Sequence, residues 1–303
     1  MNEDLFVRLL ASLDLDKEVT AYYDLSPLST YRVGGRAKFF THISKSTHLE
    51  KVSKFIIESG VKVLIVGNGS NLLISDSGFD GLVIQLGEDF ENISAVDQVV
   101  TAGGAVSLPI LARHTVKNGL SGFEWAVGVP GTVGGAVRMN AGGHGASISD
   151  SLSSANIFDL QTNNYKKLNV EDLEMDYRST TISSHEIVVE AEFLLDAGKV
   201  EIGDERISEI VKWRRENQPG GQNAGSVFMN PLGDSAGRLI DAAGLKGYKL
   251  GSAMVSEKHA NFIQVKPSGS ADDVHSLMKV VHSRVLEETG ISLETETVMV
   301  GFD

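Results

Sequence analysis

Apolar side chains recur along this chain in two rhythms, and the alternation between them outlines the elements. Leu5, Leu9, Leu10 and Leu13 share one helical face and predict a short amphipathic helix over residues 4–13. A strand is expected from Ala37 to Ile43. A helix follows, opened by Ser46 or Thr47, with Leu49, Val52 and Ile56 inward and Gly60 just past its end. Lys62 to Val66 then reads as an apolar strand. This β-α-β order predicts a small α/β lobe.

More strand is expected at Leu72–Ser75 and Gly81–Leu86, and a second lobe from about residue 91. There Gln98–Ala102 reads as a strand and Ser107–Asn118 as a helix, with Leu108, Leu111 and Ala112 inward. Strands are expected at Ser151–Leu160, Tyr165–Leu168 and Glu186–Leu195, the first two joined by a turn at Thr162-Asn163-Asn164. Asp196-Ala197-Gly198 marks a boundary. Beyond it Val200–Asn217 reads as a helix, Ser235–Ala243 as another ended by Gly244, and Asn261–Val265 as a strand. Val274, Leu277, Met278, Val281 and Val285 give residues 271–289 the clearest helical stripe, and a last strand is expected at Thr295–Val300. The division expected is 1–90, 91–198 and 199–303.

Composition narrows the classes. Twenty-seven basic against forty acidic residues give a net charge of −13, which disfavours a nucleic-acid surface. Cysteine is absent, so neither disulfides nor thiolate metal sites are available. The histidines are scattered, and no metal site is expected. No apolar run approaches the roughly 20 residues that span a bilayer. The first residues, MNEDLFVRLLASLDLDKEV, carry no basic leader followed by a small-residue cleavage site, so a cytoplasmic protein without a membrane partner is expected.

Glycine changes the picture most. Eight fall within Gly122–Gly145, GFEWAVGVPGTVGGAVRMNAGGHG. Because glycine costs folding entropy, this density asks for a reason. Either the stretch is a packing loop, or its main-chain N–H groups meet an anionic cofactor. The strand ending at Val66 runs into Gly67-Asn68-Gly69-Ser70-Asn71, which presents small residues to an anion but is not the GxGxxG fingerprint, since Leu72 stands at the third glycine. Further along, in Asp176-Tyr177-Arg178-Ser179-Thr180, an arginine between a tyrosine and two hydroxyls reads as a surface residue. Arg214 and Arg215 close a helix, where they complement its dipole or serve a ligand. The loop Asn223–Pro231 holds Ser226 between Gly225 and a short apolar strand, inert or aimed into a cleft. Glu294 and Glu296, two apart, share a strand face.

Taken in order and spacing, Val66–Leu73, Gly122–Gly145, Tyr177-Arg178-Ser179, Asn223–Pro231 and Leu293-Glu294-Thr295-Glu296 resemble the UDP-N-acetylenolpyruvoylglucosamine reductase (MurB) family. The resemblance covers nearly the whole chain, and its compact spacing is similar to the shorter class that lacks an inserted tyrosine-bearing loop. It implies an α/β (α+β) protein with an FAD-binding fold of the vanillyl-alcohol-oxidase (PCMH) type in two lobes, plus a C-terminal α/β substrate domain. The cofactor implied is FAD, with NADPH as co-substrate, in peptidoglycan precursor synthesis. Val66, Gly67, Asn68, Gly69, Ser70 and Asn71 would hold the FAD diphosphate, and Pro130, Gly131, Thr132 and Gly135 would line the flavin. The partner expected is a UDP-sugar, and the chain is expected to act as a monomer.

The same resemblance implies roles. Hydride addition to an enolpyruvyl ether puts negative charge on the substrate carboxylate, a task matched by Arg178 and by a protonated Glu296, whose pKa burial would raise. Ser226 matches the family's proton donor to the adjacent carbon. Tyr177, Arg214, Arg215, Asn230, Lys258 and His259 resemble its substrate-binding positions. Met229 stands where a basic residue is common, His144 where an aromatic is, Thr295 where proline is frequent and Thr297 where valine is. Two rival readings are an FAD oxidase of the same fold, which would not need Ser226 together with Glu296, and a non-catalytic nucleotide-sugar binder.

Overall fold

The computed structural model describes residues 3–302, with side chains from Arg8 onward, so the side chain of Leu5 lies outside the described residues. In chain order the elements are α1 (Glu3–Ser12), β1 (Val19–Asp24), β2 (Arg36–Ile43), α2 (Ser46–Ser59), β3 (Val63–Ile65), β4 (Leu72–Ile74), β5 (Phe79–Leu86), β6 (Ile93–Val96), β7 (Val99–Gly103), α3 (Leu108–Lys117), β8 (Leu120–Ser121), α4 (Val133–Arg138), β9 (Gly142–Gly143) and β10 (Ala146–Ser147). There follow β11 (Leu152–Asp159), β12 (Asn164–Asn169), β13 (Glu186–Leu194), β14 (Asp196–Ala197), α5 (Val200–Asn217), α6 (Ala236–Ala242), β15 (Lys249–Leu250), β16 (Ala253–Val255), β17 (Ile263–Val265), α7 (Ala271–Thr289) and β18 (Val298–Val300). Among the described residues, no helix is long and apolar enough to cross a membrane.

The chain divides into two compact units, one holding residues up to 21, 39–68 and 81–212, the other residues 22–38, 69–80 and 213 onward. In the first, an antiparallel sheet runs in the order β12-β11-β13-β7-β6. Alternation puts Ala155 and Ile157 of β11, Ala191 and Phe193 of β13, and Val100 and Ala102 of β7 on the buried face. α3 covers them with Leu108, Leu111, Ala112 and Val116. A four-stranded sheet, β1-β2-β5-β3, has β3 parallel to β5. Its core joins Phe39, Leu49, Val52, Phe55, Leu82 and Ile84, with Leu10 of α1 packed alongside.

In the second unit α7 buries Val274, Leu277, Met278, Val281 and Val285, the stripe that the spacing predicts. Burial of each such side chain contributes about 1.5–3 kcal/mol. Beneath it lie α6 and the antiparallel sheet β15-β16-β17, while β18 pairs in parallel with β4. Tyr31, Val33 and Leu73, from the two early segments, share this core.

Four local expectations change. The cap of α2 is Lys45, because the amide of Ser46 is taken by Asp89 (2.9 Å), and Ser46 becomes the first helical residue. Part of the glycine-rich stretch is helical, as α4, with Thr132 as its cap. β17 starts at Ile263, since the side chain of Asn261 is turned onto Phe228. The last strand is confined to Val298–Val300, for residues 294–297 pair with a different partner.

Candidate active site

The first unit brings two glycine-bearing loops into contact. β3 delivers Val66, 2% exposed, whose amide donates to the carbonyl of Ile84 at 2.8 Å. At Gly67 a Cβ would fall 2.4 Å from Thr132 Oγ1, so only glycine allows this approach. Asn68 Nδ2 donates to the carbonyl of Pro130 (3.3 Å), tying the loops together again. Gly131 and Thr132 are held from the other side: Leu108 N donates to Gly131 O (3.0 Å), and Thr132 bridges Ser107. Thr132 Oγ1 accepts from Gly135 N at 3.3 Å.

At Gly135 and Gly143, by contrast, the nearest atoms to a built Cβ lie at 3.5 and 3.9 Å, and at Gly145 none lies within 4 Å. Gly135 and Gly143 thus have only ordinary contacts and Gly145 faces open space, uncrowded main chain that suits a flat ring lying on it. These residues fit a flavin cofactor.

In the same unit, Asp176 and Ser179 exchange backbone hydrogen bonds, both 3.1 Å, leaving Tyr177 and Arg178 at the tip of a tight turn. Arg178 adopts φ 57°, a left-handed conformation that costs a non-glycine residue about 1 kcal/mol or more. The residue is half-buried, and its guanidinium donates to Gly142 O at 3.2 Å and lies 5.2 Å from the ring centroid of Tyr177. The arginine is thus fastened to the glycine-rich stretch. Asn140, 7% exposed, ties the base of the turn, with Nδ2 donating to Asp176 O at 3.0 Å.

The second unit holds Gly69, Ser70, Asn71, Arg214, Arg215, Ser226, Asn230, Lys258, His259 and Glu296. Gly69 (φ 57°) sits where a Cβ would come 1.8 Å from Leu28 O, and Ser70 is half-buried beside it. Asn71 Nδ2 donates to Glu296 O at 2.9 Å. Residues 227–229 run alongside 294–297: Met229 N donates to Glu294 O (2.8 Å), Phe228 bridges Thr295, and Val227 O accepts from both Glu296 N (2.8 Å) and Thr297 N (3.3 Å). Two residues facing one is a β-bulge, a device that re-aims side chains. Simple alternation from Glu294 therefore stops here, and Glu296 is half-buried while Glu294 is exposed. Ser226, half-buried, precedes the residue on which the bulge turns.

The remaining predicted residues are held by local contacts. Arg214 Nε donates to Gln218 Oε1 (2.8 Å), and burial lowers its pKa from the ordinary arginine value. Lys258 Nζ donates to Arg215 O (2.6 Å). Asn230 Oδ1 accepts from Ala236 N (3.1 Å) at the start of α6. His259 Nδ1 accepts from Asn261 N (3.3 Å), and the ring stands edge-on to Phe262. Burial, then the charge of Lys246, hold its imidazole below the ordinary histidine range. Among the departures, His144 (φ 53°) lies against Gly128, and the hydroxyl of the buried Thr297 has no hydrogen-bond partner.

Residue-by-residue reading missed Asn140 and Asn261, whose only signal was a polar residue at the edge of apolar runs. It also missed the grouping of Asp159, His185 and Glu186, whose ligand atoms lie within 4.8 Å of one another. There Glu186 is ion-paired with Lys166 and takes the amide of Ser183, while Asp159 takes the amides of Gln161 and Thr162. These groups close the strand ends.

Residues 217–300 match the family model described as UDP-N-acetylenolpyruvoylglucosamine reductase, C-terminal domain, and residues 38–162 match an FAD binding domain. The UDP-N-acetylenolpyruvoylglucosamine reductase of Heliobacterium modesticaldum is 39% identical over 91% of this chain and 89% of its own length. That of Clostridioides difficile is 35% identical over 100% of this chain and 99% of its own. The crystal structure of the Thermus caldophilus enzyme superposes with a TM-score of 0.80 at 33% identity, covering 93% of this chain and 98% of that one. The fold is the FAD-binding PCMH type. The chain belongs to the UDP-N-acetylenolpyruvoylglucosamine reductase (MurB) family.

Proposed function

We propose that this protein is an FAD-dependent oxidoreductase that uses NADPH to reduce UDP-N-acetyl-3-O-(1-carboxyvinyl)-glucosamine to UDP-N-acetylmuramate, a cytoplasmic step of peptidoglycan precursor synthesis. FAD, when bound, would supply the two-electron hydride chemistry that carries reducing equivalents from NADPH to the vinyl group. Val66, Gly67, Asn68, Gly69, Ser70 and Asn71 would hold its diphosphate, and Pro130, Gly131, Thr132 and Gly135 would line the ring.

The chain's own residues handle charge and proton. As hydride arrives, negative charge builds on the substrate carboxylate, and Arg178 with a protonated Glu296 stabilises it. Removing one such preorganised donor costs roughly 3–4 kcal/mol of barrier. Ser226 then protonates the neighbouring carbon. Tyr177, Arg214, Arg215, Asn230, Lys258 and His259 bind the UDP-sugar, and Arg214, Arg215 and Lys258 supply local positive charge in a protein of net charge −13. In this reading residues 1–90 and 91–198 are the FAD-binding lobes, 199–303 is the substrate domain, and the chain works as a monomer.

The observation that carries the reading is the pairing of residues 227–229 with 294–297, which lays the segment that directly follows Ser226 beside the glutamate-bearing one across a bulge. The test is anaerobic stopped-flow on the visible flavin band. NADPH should bleach it and the enolpyruvyl sugar should restore it. Ser226→Ala should slow only the second phase, by about 10²–10⁴-fold. Bleaching without recovery would overturn the substrate assignment.

A further inference from the structure

We infer that Asn140 and Asn261 are positioning residues that hold Arg178 and Ser226 through the backbone. This inference rests on the roles just proposed for those two side chains. Asn140 and Asn261 are 7% and 3% exposed, and each side chain uses both its donor and its acceptor on main-chain groups of other segments.

Asn140 stands at φ 39°, where an asparagine pays less than most residues. Its Nδ2 donates to Asp176 O (3.0 Å) and its Oδ1 accepts from Ser149 N (3.1 Å). Since Asp176 and Ser179 are paired to each other, fixing Asp176 fixes the two-residue tip. Arg178 is thereby presented at Gly142 O, two residues along from Asn140 itself. One amide thus sets the arginine relative to the glycine-rich stretch.

Asn261 does the same for the serine. Its side chain acts as a strand partner for Phe228, accepting from Phe228 N (3.0 Å) and donating to Phe228 O (2.8 Å). Its own carbonyl accepts from Val227 N at 2.9 Å. Both peptide units following Ser226 are therefore clamped, and so is the carbonyl of Val227 that receives the bulge at Glu296. A neutral amide is required in both positions, because a carboxylate would set an oxygen against the carbonyls of Asp176 and Phe228. Neither asparagine reaches the reacting atoms. Each acts through the segment it holds.

The experiment compares Asn140→Ser and Asn261→Ser with the wild type, each as the purified flavoprotein, in the two half-reactions measured separately. Thermal midpoint and flavin content check folding. Flavin reduction by NADPH should be unchanged, while reoxidation by the enolpyruvyl sugar should slow roughly 10²-fold, as misplacement of a catalytic group by about 1 Å does. Equal slowing of both half-reactions, or of neither, would overturn the inference, since a purely structural role does not separate them. Asn140→Asp and Asn261→Asp serve as second variants. Amide hydrogen exchange needs neither flavin nor substrate: Val227 and Phe228 should exchange faster in Asn261→Ser, and Ser149 and Ser179 in Asn140→Ser. Unchanged exchange would overturn the inference on its own. Failure of the wild type to be reoxidised by the sugar would instead remove the proposed substrate and leave the exchange result standing.

Discussion

A single Cβ decides much of the candidate site. At Gly69 it would lie 1.8 Å from Leu28 O, on backbone at φ 57°, so Gly69→Ala combines a clash with left-handed strain. A loss of about 3 kcal/mol is expected. Gly220→Ala is the control, for nothing lies within 4 Å of its Cβ. Urea unfolding of the pair checks this, with Gly220→Ala within about 0.5 kcal/mol of the wild type. His259 gives the pH dependence. Burial and Lys246 hold its folded pKa below the unfolded value of about 6.5, so the folded state carries fewer protons than the unfolded chain in between. The stability it contributes is fully present above about pH 6.5 and is lost as pH falls from there to the lower folded value. Urea midpoints across that interval should fall on acidification, and less so in His259→Gln. That the glycine loops hold crowded or left-handed backbone was legible in the sequence, because such density has few other local causes. Asn140 and Asn261 were not, because an asparagine's partners lie anywhere in the fold.

At the scale of elements, periodicity carried far. α5 and α7 have the predicted bounds, and Gly60 ends α2 in the left-handed conformation. Yet among the apolar residues in the second half of α5, Ile207 and Ile210 are buried, while Val211 and Trp213 are 42% and 45% exposed. The predicted start of α2 failed because a distant side chain took a backbone group, as Asp89 does at Ser46. A distant side chain also holds the start of α7, here without moving it: Asp76 accepts from Ser270 Oγ (2.7 Å), Ala271 N and Asp272 N (both 3.1 Å). Asp76→Ala should therefore uncap a helix almost two hundred residues away in sequence. A loss of about 1–2 kcal/mol is expected, read by denaturant unfolding. The bulge at Glu296 was equally hidden, since a two-residue period cannot register a partner that faces two residues with one.

For the whole molecule, connectivity matters most. The second unit needs residues 22–38 and 69–80, which bring Tyr31, Val33 and Leu73 into its core and Asp76 to its longest helix. A fragment of residues 199–303 lacks all four, and it should give no cooperative unfolding transition when followed by circular dichroism. Adding back residues 22–38 and 69–80 through designed linkers should restore one. By itself the sequence determined the alternation of α and β, the long helices, the glycine loops and the order of motifs, because these depend on local backbone preference and on spacing along the chain. Only the tertiary structure decided which segments share a core, how Gly67 meets Thr132, and how Arg178, Ser226 and Glu296 are held. Those depend on hydrogen bonds and packing between residues far apart in the chain, and no local rhythm encodes them.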